Sequence, residues 1–337
     1  MSFVRYNPED SVISSETVVR GLFTGDSNTL NSFATQSAPT EYYVDVYNGD
    51  PSLSSSAVQF SIQYGNLNGS GSNLINPNVP TFTPSRVVYG EYRNLVYGTE
   101  TQNFSFDNGT TTANDIFVIN FARSRYKESL LPGSFNLTLK SGSSAIQLTD
   151  DSGTTSLTRF IGENEVYYII SGSNGNAYTA NASASYYGMM FPDLDIVVLN
   201  ATASTVVDLR RYFAPLTTAT SSISAANYNE LKLYTSIVSG SANSPSSSMT
   251  LQSSETVSSR YFFTRVKNSE FNYTTNPSII DANGNLLFTT LINNPQTFIT
   301  SVGMYNDNNE LLAVAKLSQP LTKDFTKEAL IRIKLDY

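Results

Sequence analysis

The sequence predicts a mainly β protein with antiparallel, sandwich-like sheets, long loops, one or two short helices and more than one domain. Composition is the first reason. Of 337 residues, 47 are Ser, 35 Thr and 33 Asn, together 115, while charged residues make up only 14%. Ser, Thr and Asn side chains compete for backbone hydrogen bonds and so favour strands, turns and polar surfaces over helices. The second reason is period: several segments alternate apolar and polar residues, the signature of a strand with one buried face. The third is punctuation, because Gly, Pro, Asn and Asp clusters separate these segments.

Residues 1–40 read as an extended N-terminal arm, expected to be mobile in the isolated chain. A β-rich domain is expected over 41–210. In it EYYVDVY places Tyr42, Val44 and Val46 on one face, and AVQFSIQYG places Val58, Phe60, Ile62 and Tyr64 on one face. Asn66 to Pro84, rich in Gly, Ser, Asn and Pro, is a long loop. The strongest helix signal runs over 85–97: Ser85 is a candidate cap, Val88, Tyr89, Tyr92, Leu95 and Val96 recur at helical spacing, and Gly98 ends it. Asp115–Ala122 is a strand. FNLTLKSG, with Phe135, Leu137 and Leu139 on one face, pairs with SAIQLTDDSG as a hairpin, while VYYIISG and DIVVLNA are short apolar runs expected to be buried strands.

Residues 211–260 form a charge-poor, Ser/Thr-rich connector, with a short helix expected over 225–234. Residues 261–337 form a C-terminal antiparallel β section. There Thr297–Tyr305, Leu311–Leu317 and Ala329–Tyr337 are expected to make a meander, with Ile331, Ile333 and Leu335 on its apolar face.

The chemistry is bounded by absences. The chain has no Cys, no His and no Trp. Thiol nucleophiles, disulfides, Ser–His pairs and the usual zinc ligands are therefore excluded. A net charge of −8 makes nonspecific duplex binding a poor fit. No window approaches the roughly 20 apolar residues of a membrane-spanning helix.

Carboxylates remain. Asp150 and Asp151 sit in a DDSG turn, and a glycosidase would need two such groups across a cleft. Glu163/Glu165 and Asp193/Asp195 are i, i+2 pairs that one strand face would present to an oxygen-loving cation, but no third ligand is evident. DANGN at 281–285 imitates a calcium loop, yet Ile292 stands where the bidentate Glu belongs. NDNNE at 306–310 is a hairpin tip. The glycines near Gly69 lack the Lys-Ser/Thr ending of a phosphate loop. Arg123, Arg125 and Lys127 would share a strand face. No residue is assigned a catalytic, cofactor-binding or metal-binding role, no cofactor is expected, and the chain is expected not to be an enzyme. The 21 Tyr and 19 Phe suit packing and interfaces.

Four strings together resemble the virion structural proteins of myovirus-type tailed phages, those of marine cyanobacteria above all. They are FVRYNPEDSVISSETV; AVQFSIQYGNLNGSGS with PSRVVYGEYRNLVYG; FVINFARSRYKESLLPGSFNLTL with its DDSG; and the C-terminal RYFFTRVKNSEFNYTTNPS with FITSVGMYNDNNELLAVAKLSQPLTKDFTKEALIRIKLDY. The resemblance touches most of the chain except about 150–255; Ile299 to Ser318 is its most specific part, and the C-terminal piece also resembles, more loosely, hairpins of phage tail and baseplate proteins. The resemblance implies a non-enzymatic baseplate or tail subunit, present in several copies and binding other virion structural proteins, with no nucleic acid or membrane insertion. A host-receptor-binding or fibre-attachment module, or a neck or capsid-associated protein, is the alternative. The expected location is the virion, assembled in the host cytoplasm.

Overall fold

The structure, a computed structural model, describes residues 5–35, 43–69, 71, 84–106, 111–154, 158–178, 186–202, 208–216, 228–241, 249–274 and 276–336. Along the chain the strands are β1 (Ser11–Gly21), β2 (Ala34–Thr35), β3 (Tyr43–Tyr47), β4 (Val58–Asn66), β5 (Asp115–Phe121), β6 (Ser129–Leu130), β7 (Asn136–Ser141), β8 (Ser144–Asp150), β9 (Arg159–Ile161) and β10 (Asn164–Ser173). They continue as β11 (Asn176–Ala177), β12 (Gly188–Phe191), β13 (Ile196–Asn200), β14 (Met249–Thr250), β15 (Gln252–Val266), β16 (Thr297–Tyr305), β17 (Leu311–Lys323) and β18 (Ala329–Asp336). The α-helices are α1 (Ser85–Tyr97), α2 (Asn229–Ser241) and α3 (Thr289–Asn293). The protein is mainly β and antiparallel.

Contacts divide the chain into two units, residues 18–255 and residues 1–17 with 256–337. This division differs from the four segments read along the sequence. Residues 11–21 form a strand, because β-branched Val12, Ile13, Thr17, Val18 and Val19 suit an extended backbone and β15 offers a ladder partner. The Tyr6 ring also lies 5.4 Å from that of Phe262. Most of the 211–260 connector belongs to the larger unit.

The larger unit is built on a curled 12-stranded sheet ordered β14-β7-β8-β10-β12-β13-β5-β4-β3-β2, with β9 and β11 also on β10. Its middle strands explain the continuous apolar runs. Phe117, Ile119 and Phe121 of β5 enter one core cluster, and Ile116 and Val118 enter another. In β13, Val197 and Leu199 join the first cluster, and Ile196 and Val198 the second. Both faces are covered, so apolar residues fill Ile116–Ile119 of β5 and Ile196–Leu199 of β13 without a break, although the strands still alternate between the two clusters.

Helix α1 covers the second cluster with Val88, Tyr89, Tyr92 and Val96. Leu95, expected on that face, is 47% exposed. Pro84 rather than Ser85 precedes the first turn, and Gly98 ends the helix at φ 65, a left-handed conformation that glycine adopts without a Cβ penalty. A Cβ on Gly65 would stand 3.0 Å from the Tyr89 backbone, so glycine lets the helix approach β4 closely. The Tyr89 hydroxyl donates to Ala113 O at 2.8 Å and accepts from Phe104 N at 3.0 Å.

On the other cluster α2 buries Leu233 and Ile237. It runs beyond the expected 225–234, and its start overlaps that span. The sheet curls until residues 28–30 reach β14: Leu30 N–H donates to Met249 O and Leu251 N–H to Asn28 O, each at 2.9 Å. The short end strand β14 is thereby partnered on its outer side, which leaves it no free ladder for unwanted pairing.

In the smaller unit β18 pairs with β15 from Val266↔Ala329 to Ser259↔Asp336, and β1 lies on the other side of β15. The hairpin β16–β17 is a separate two-stranded sheet. The expected meander is therefore corrected: β18 does not continue β17. Its alternation stands, with Ile331 and Ile333 buried, Leu335 partly buried, and Arg332, Lys334 and Asp336 exposed. Phe262, Ile331 and Ile333 form this unit's buried core, against which Ile299, Val302, Met304, Ala315 and Leu317 of the hairpin pack. The hairpin thus covers the sheet, which is why a strand distant in sequence completes it. Tyr337, the 242–248 excursion and most of the Asn66–Pro84 loop lie outside the described residues.

Candidate functional site

The carboxylates most suggestive in sequence are committed to structure. Asp150, fully buried, accepts Gly133 N–H on both oxygens at 2.9 and 3.0 Å and Ser152 N–H at 3.1 Å. Its pKa is still raised, because burial outweighs those bonds. Asp151 accepts Tyr168 N–H at 2.9 Å and the Arg159 guanidinium at 2.5 Å. Arg159 also lies 4.9 Å over the Tyr168 ring, which stacks on Tyr186 at 4.1 Å. These two acids, adjacent in sequence, therefore serve different partners. One closes the turn before β7, and the other ties β9 to β10.

The i, i+2 pairs do not lie on strand faces. Glu163 sits in the turn before β10, Asp193 in a short 3-10 turn after β12, and Asp195 at its end with φ 57. Glu165 is the exception within β10, where it accepts the Tyr167 hydroxyl at 2.6 Å. Tight turns before β10 and β13 override the alternation a strand would impose. Acidic side chains nevertheless gather here: Asp193 is raised by burial and by Glu165 and Glu128.

Asp195 is 1% exposed, and its Oδ1 has no hydrogen-bond partner among the described residues. Burial pushes its pKa up to about 7, while the Tyr126 hydroxyl and Arg123, 3.9 Å away, act in the opposite sense. Among the described residues no group of three or more acids could hold a metal ion.

The basic cluster is also reassigned. Residues 123–125 form a turn, not a strand. Arg123 bonds the Tyr126 hydroxyl at 3.1 Å and Arg125 the Val58 carbonyl at 3.1 Å. The remaining turn motifs behave as turns. Asp281 Oδ1 accepts Asn283 and Asn285 N–H, both at 2.8 Å, and Asn306 Oδ1 accepts Asn308 N–H at 3.0 Å and Glu310 N–H at 2.8 Å. Gly69 faces the Ser85 hydroxyl so closely that a Cβ would overlap it.

The hairpin β16–β17 presents a different kind of site. Its inner face packs on the small core. On its outer face, cross-strand pairs place Tyr305 beside Leu311, Gly303 beside Val314 and Ser301 beside Lys316, with Leu312 as the extra residue of a bulge. Leu311, Leu312 and Val314 are 53%, 66% and 61% exposed. The Tyr305 ring lies across Gly303, where a Cβ would stand 2.9 Å from Cε2. Glycine therefore lets the aromatic ring lie along the strand. At the hairpin base Phe298 is also exposed. The sequence predicts the hairpin from its polar NDNNE tip between apolar strands, and that pattern carries no signal of which apolar positions are left uncovered.

Comparison with protein-family models, with curated proteins and with solved structures finds no match for this chain.

Proposed function

We propose that this chain is a non-enzymatic structural subunit of a tailed-phage virion, in the baseplate or tail, that works through contacts with other virion proteins. The observation carrying this reading is the exposed apolar outer face of β16–β17, within the segment Ile299–Ser318 where the resemblance to virion proteins is strongest. Apolar side chains cost little on a surface that is covered in an assembly, and exposed patches of this kind mark interaction sites. The roles of Asp150, Asp151 and Arg159 support the same reading, since a carboxylate bound by backbone N–H groups or a guanidinium is poorly placed to exchange protons with a substrate.

The test is mass spectrometry of purified particles together with a map in which the chain carries a label. The expected result is stoichiometric incorporation, with the backbone amides of residues 298–321 exchanging more slowly in particles than in the free chain, where the ladder alone protects them. Absence from particles would overturn the assignment, as would polysaccharide cleavage abolished by Asp150→Asn or Asp151→Asn with the fold intact.

A further inference from the structure

We infer that the outer face of the β16–β17 hairpin pairs with the same face of a second copy of this chain, related by a two-fold axis. The inference rests on the face that carries the virion reading and names its partner; self-association is measured on the purified chain, whereas the virion assignment is decided by particle composition, so the two failures are distinguishable.

The first support is area. Tyr305, Leu311, Leu312 and Val314 are 41%, 53%, 66% and 61% exposed, leaving a patch of about 450 Å², inside the range of the largest patches on monomers and commonly functional. Two such faces, with flanking Ser301 and Lys316, bury about 1,000 Å² in total, the lower bound for a specific interface. At this lower bound of area, the association expected is weak and reversible, in the micromolar to sub-millimolar range.

The second support is charge. Going from base to tip, the face runs from Lys316, across from Ser301, through Val314 and Leu311, to the turn bearing Asp307 and Glu310. Lys316, Asp307 and Glu310 are all exposed. At about 3.3 Å per residue, Lys316 lies about 20 Å from the acidic tip. One face therefore carries a cation at one end, an apolar middle and anions at the other end.

An axis lying in the interface, across the strands near Val314, reverses the second hairpin. It sets each Lys316 opposite the other copy's Asp307 and Glu310 and lays Leu311, Leu312 and Val314 against one another. A two-fold contact must be self-complementary, and this face is. A partner carrying a single sign of charge would meet repulsion at one end.

The third support is geometry. The Tyr305 ring lies along Gly303, which keeps the middle of the face low enough for a second sheet to approach at the usual spacing of about 10 Å.

Sedimentation equilibrium of the full chain from about 5 to about 200 µM tests this, with circular dichroism as the folding control. Wild type is expected to dimerise with increasing concentration. Val314→Asp is expected to remain monomeric, and Lys316→Glu to weaken association at least about tenfold, because like charges then face each other.

Compensation provides the stricter test. Combining Lys316→Glu with Asp307→Lys and Glu310→Gln inverts the pattern, and Gln keeps an oxygen for Asn306, which bonds Glu310 Oε2 at 2.6 Å. This triple variant should recover dimerisation to within about threefold of wild type. A chain that stays monomeric at about 200 µM overturns the inference. So does a dimer insensitive to Lys316→Glu, a triple variant that fails to recover, or a dimer in which hydrogen-exchange protection falls on β1 rather than on residues 311–316. If Val314→Asp does not fold, the charge series alone decides.

Discussion

In the larger unit the central strands are sealed on both faces, by α1 on one side and by α2 with the curl of the sheet on the other. In the smaller unit the buried core cluster among the described residues is small, made of Phe262, Ile331 and Ile333, with Val266 and Ala329 also buried. Both units use the same antiparallel ladders. They differ in how much apolar surface reaches solvent: the hairpin exposes Phe298, Leu311, Leu312 and Val314, and the segment around α3 exposes Leu287, Phe288 and Ile292. Stability resides where two layers of cover exist. Surface available to partners resides where there is one. Buried apolar surface is concentrated in the larger unit, and exposed apolar surface in the smaller one.

The sharpest way to break the contrast is to empty the larger core. Phe117 is fully buried, with Tyr64 at 5.5 Å and Phe213 edge-on at 5.2 Å. Phe117→Ala should cost about 3–5 kcal/mol in urea unfolding, from lost burial and an unfilled cavity. A loss of under about 1 kcal/mol would show that the two units are equally loosely packed.

Asp195 provides the next largest effect, also in the larger unit. Its folded pKa of about 7 lies above the ordinary carboxylate value. The folded state therefore holds a proton that the unfolded chain releases between about pH 4 and pH 7. Stability from this group is fully present below about pH 4 and is lost as pH rises through 7. Asp195→Asn removes the cost of a buried charge and keeps a side chain that tolerates φ 57. At pH 8 the variant should be more stable by about 2–4 kcal/mol. The gain should shrink steadily below pH 7 and vanish near pH 4. A gain independent of pH would show that packing rather than ionisation sets the cost.

Strand positions were legible wherever one period dominated. Val44 and Val46, Phe60 and Ile62, Leu137 and Leu139, and Ile331 and Ile333 are all buried as their alternation required. Helix α1 was legible from its spacing and from Gly98. Partners were not. β18 reads like a third strand after β17 but pairs with β15, because a ladder partner depends on which sheet the hairpin covers, a contact some 70 residues away in sequence.

Buried polar groups were equally hidden. Lys323 lies beyond the strand expected to end at Leu317, yet it closes β17, is fully buried and donates to Asn268 O at 3.0 Å, Asn272 Oδ1 at 2.7 Å and Asp324 O at 2.9 Å. Gln59 reads as the solvent face of β4, yet it is 1% exposed and donates to Ser32 O at 2.8 Å. Each depends on carbonyls supplied by a neighbouring loop, which no local pattern reveals. The apolar outer face of the hairpin was hidden for the converse reason: Leu311, Leu312 and Val314 resemble core residues, and only the structure leaves them uncovered.

A smaller effect is expected inside the small core. Ile333 is 7% exposed and faces Phe262 across the ladder. Ile333→Ala should destabilise by about 2 kcal/mol, at the low end for such truncations, because a thin core relaxes around the lost methyl groups more readily than a thick one. Where the units unfold in separate transitions, only the one belonging to residues 1–17 and 256–337 should move. An equal shift of both transitions would show that this core supports the whole chain.

The smallest effect on stability distinguishes a folding residue from an interface residue. Leu312 is 66% exposed and occupies the extra position of the bulge between the Met304↔Ala313 and Tyr305↔Leu311 pairs. Its side chain is mostly in water in the isolated chain, so Leu312→Ser removes little burial. The bulge is set by backbone pairing and accepts serine without strain. Unfolding should change by less than about 0.5 kcal/mol, as for most surface substitutions. Association should respond quite differently, since two copies of this leucine lie near the centre of the paired faces, where a few well-covered residues supply most of the binding energy. The dimerisation constant should fall at least about tenfold at unchanged thermal stability. If Leu312→Ser destabilises by 2 kcal/mol or more, the outer face is already covered within the chain, and the contrast between the two units disappears.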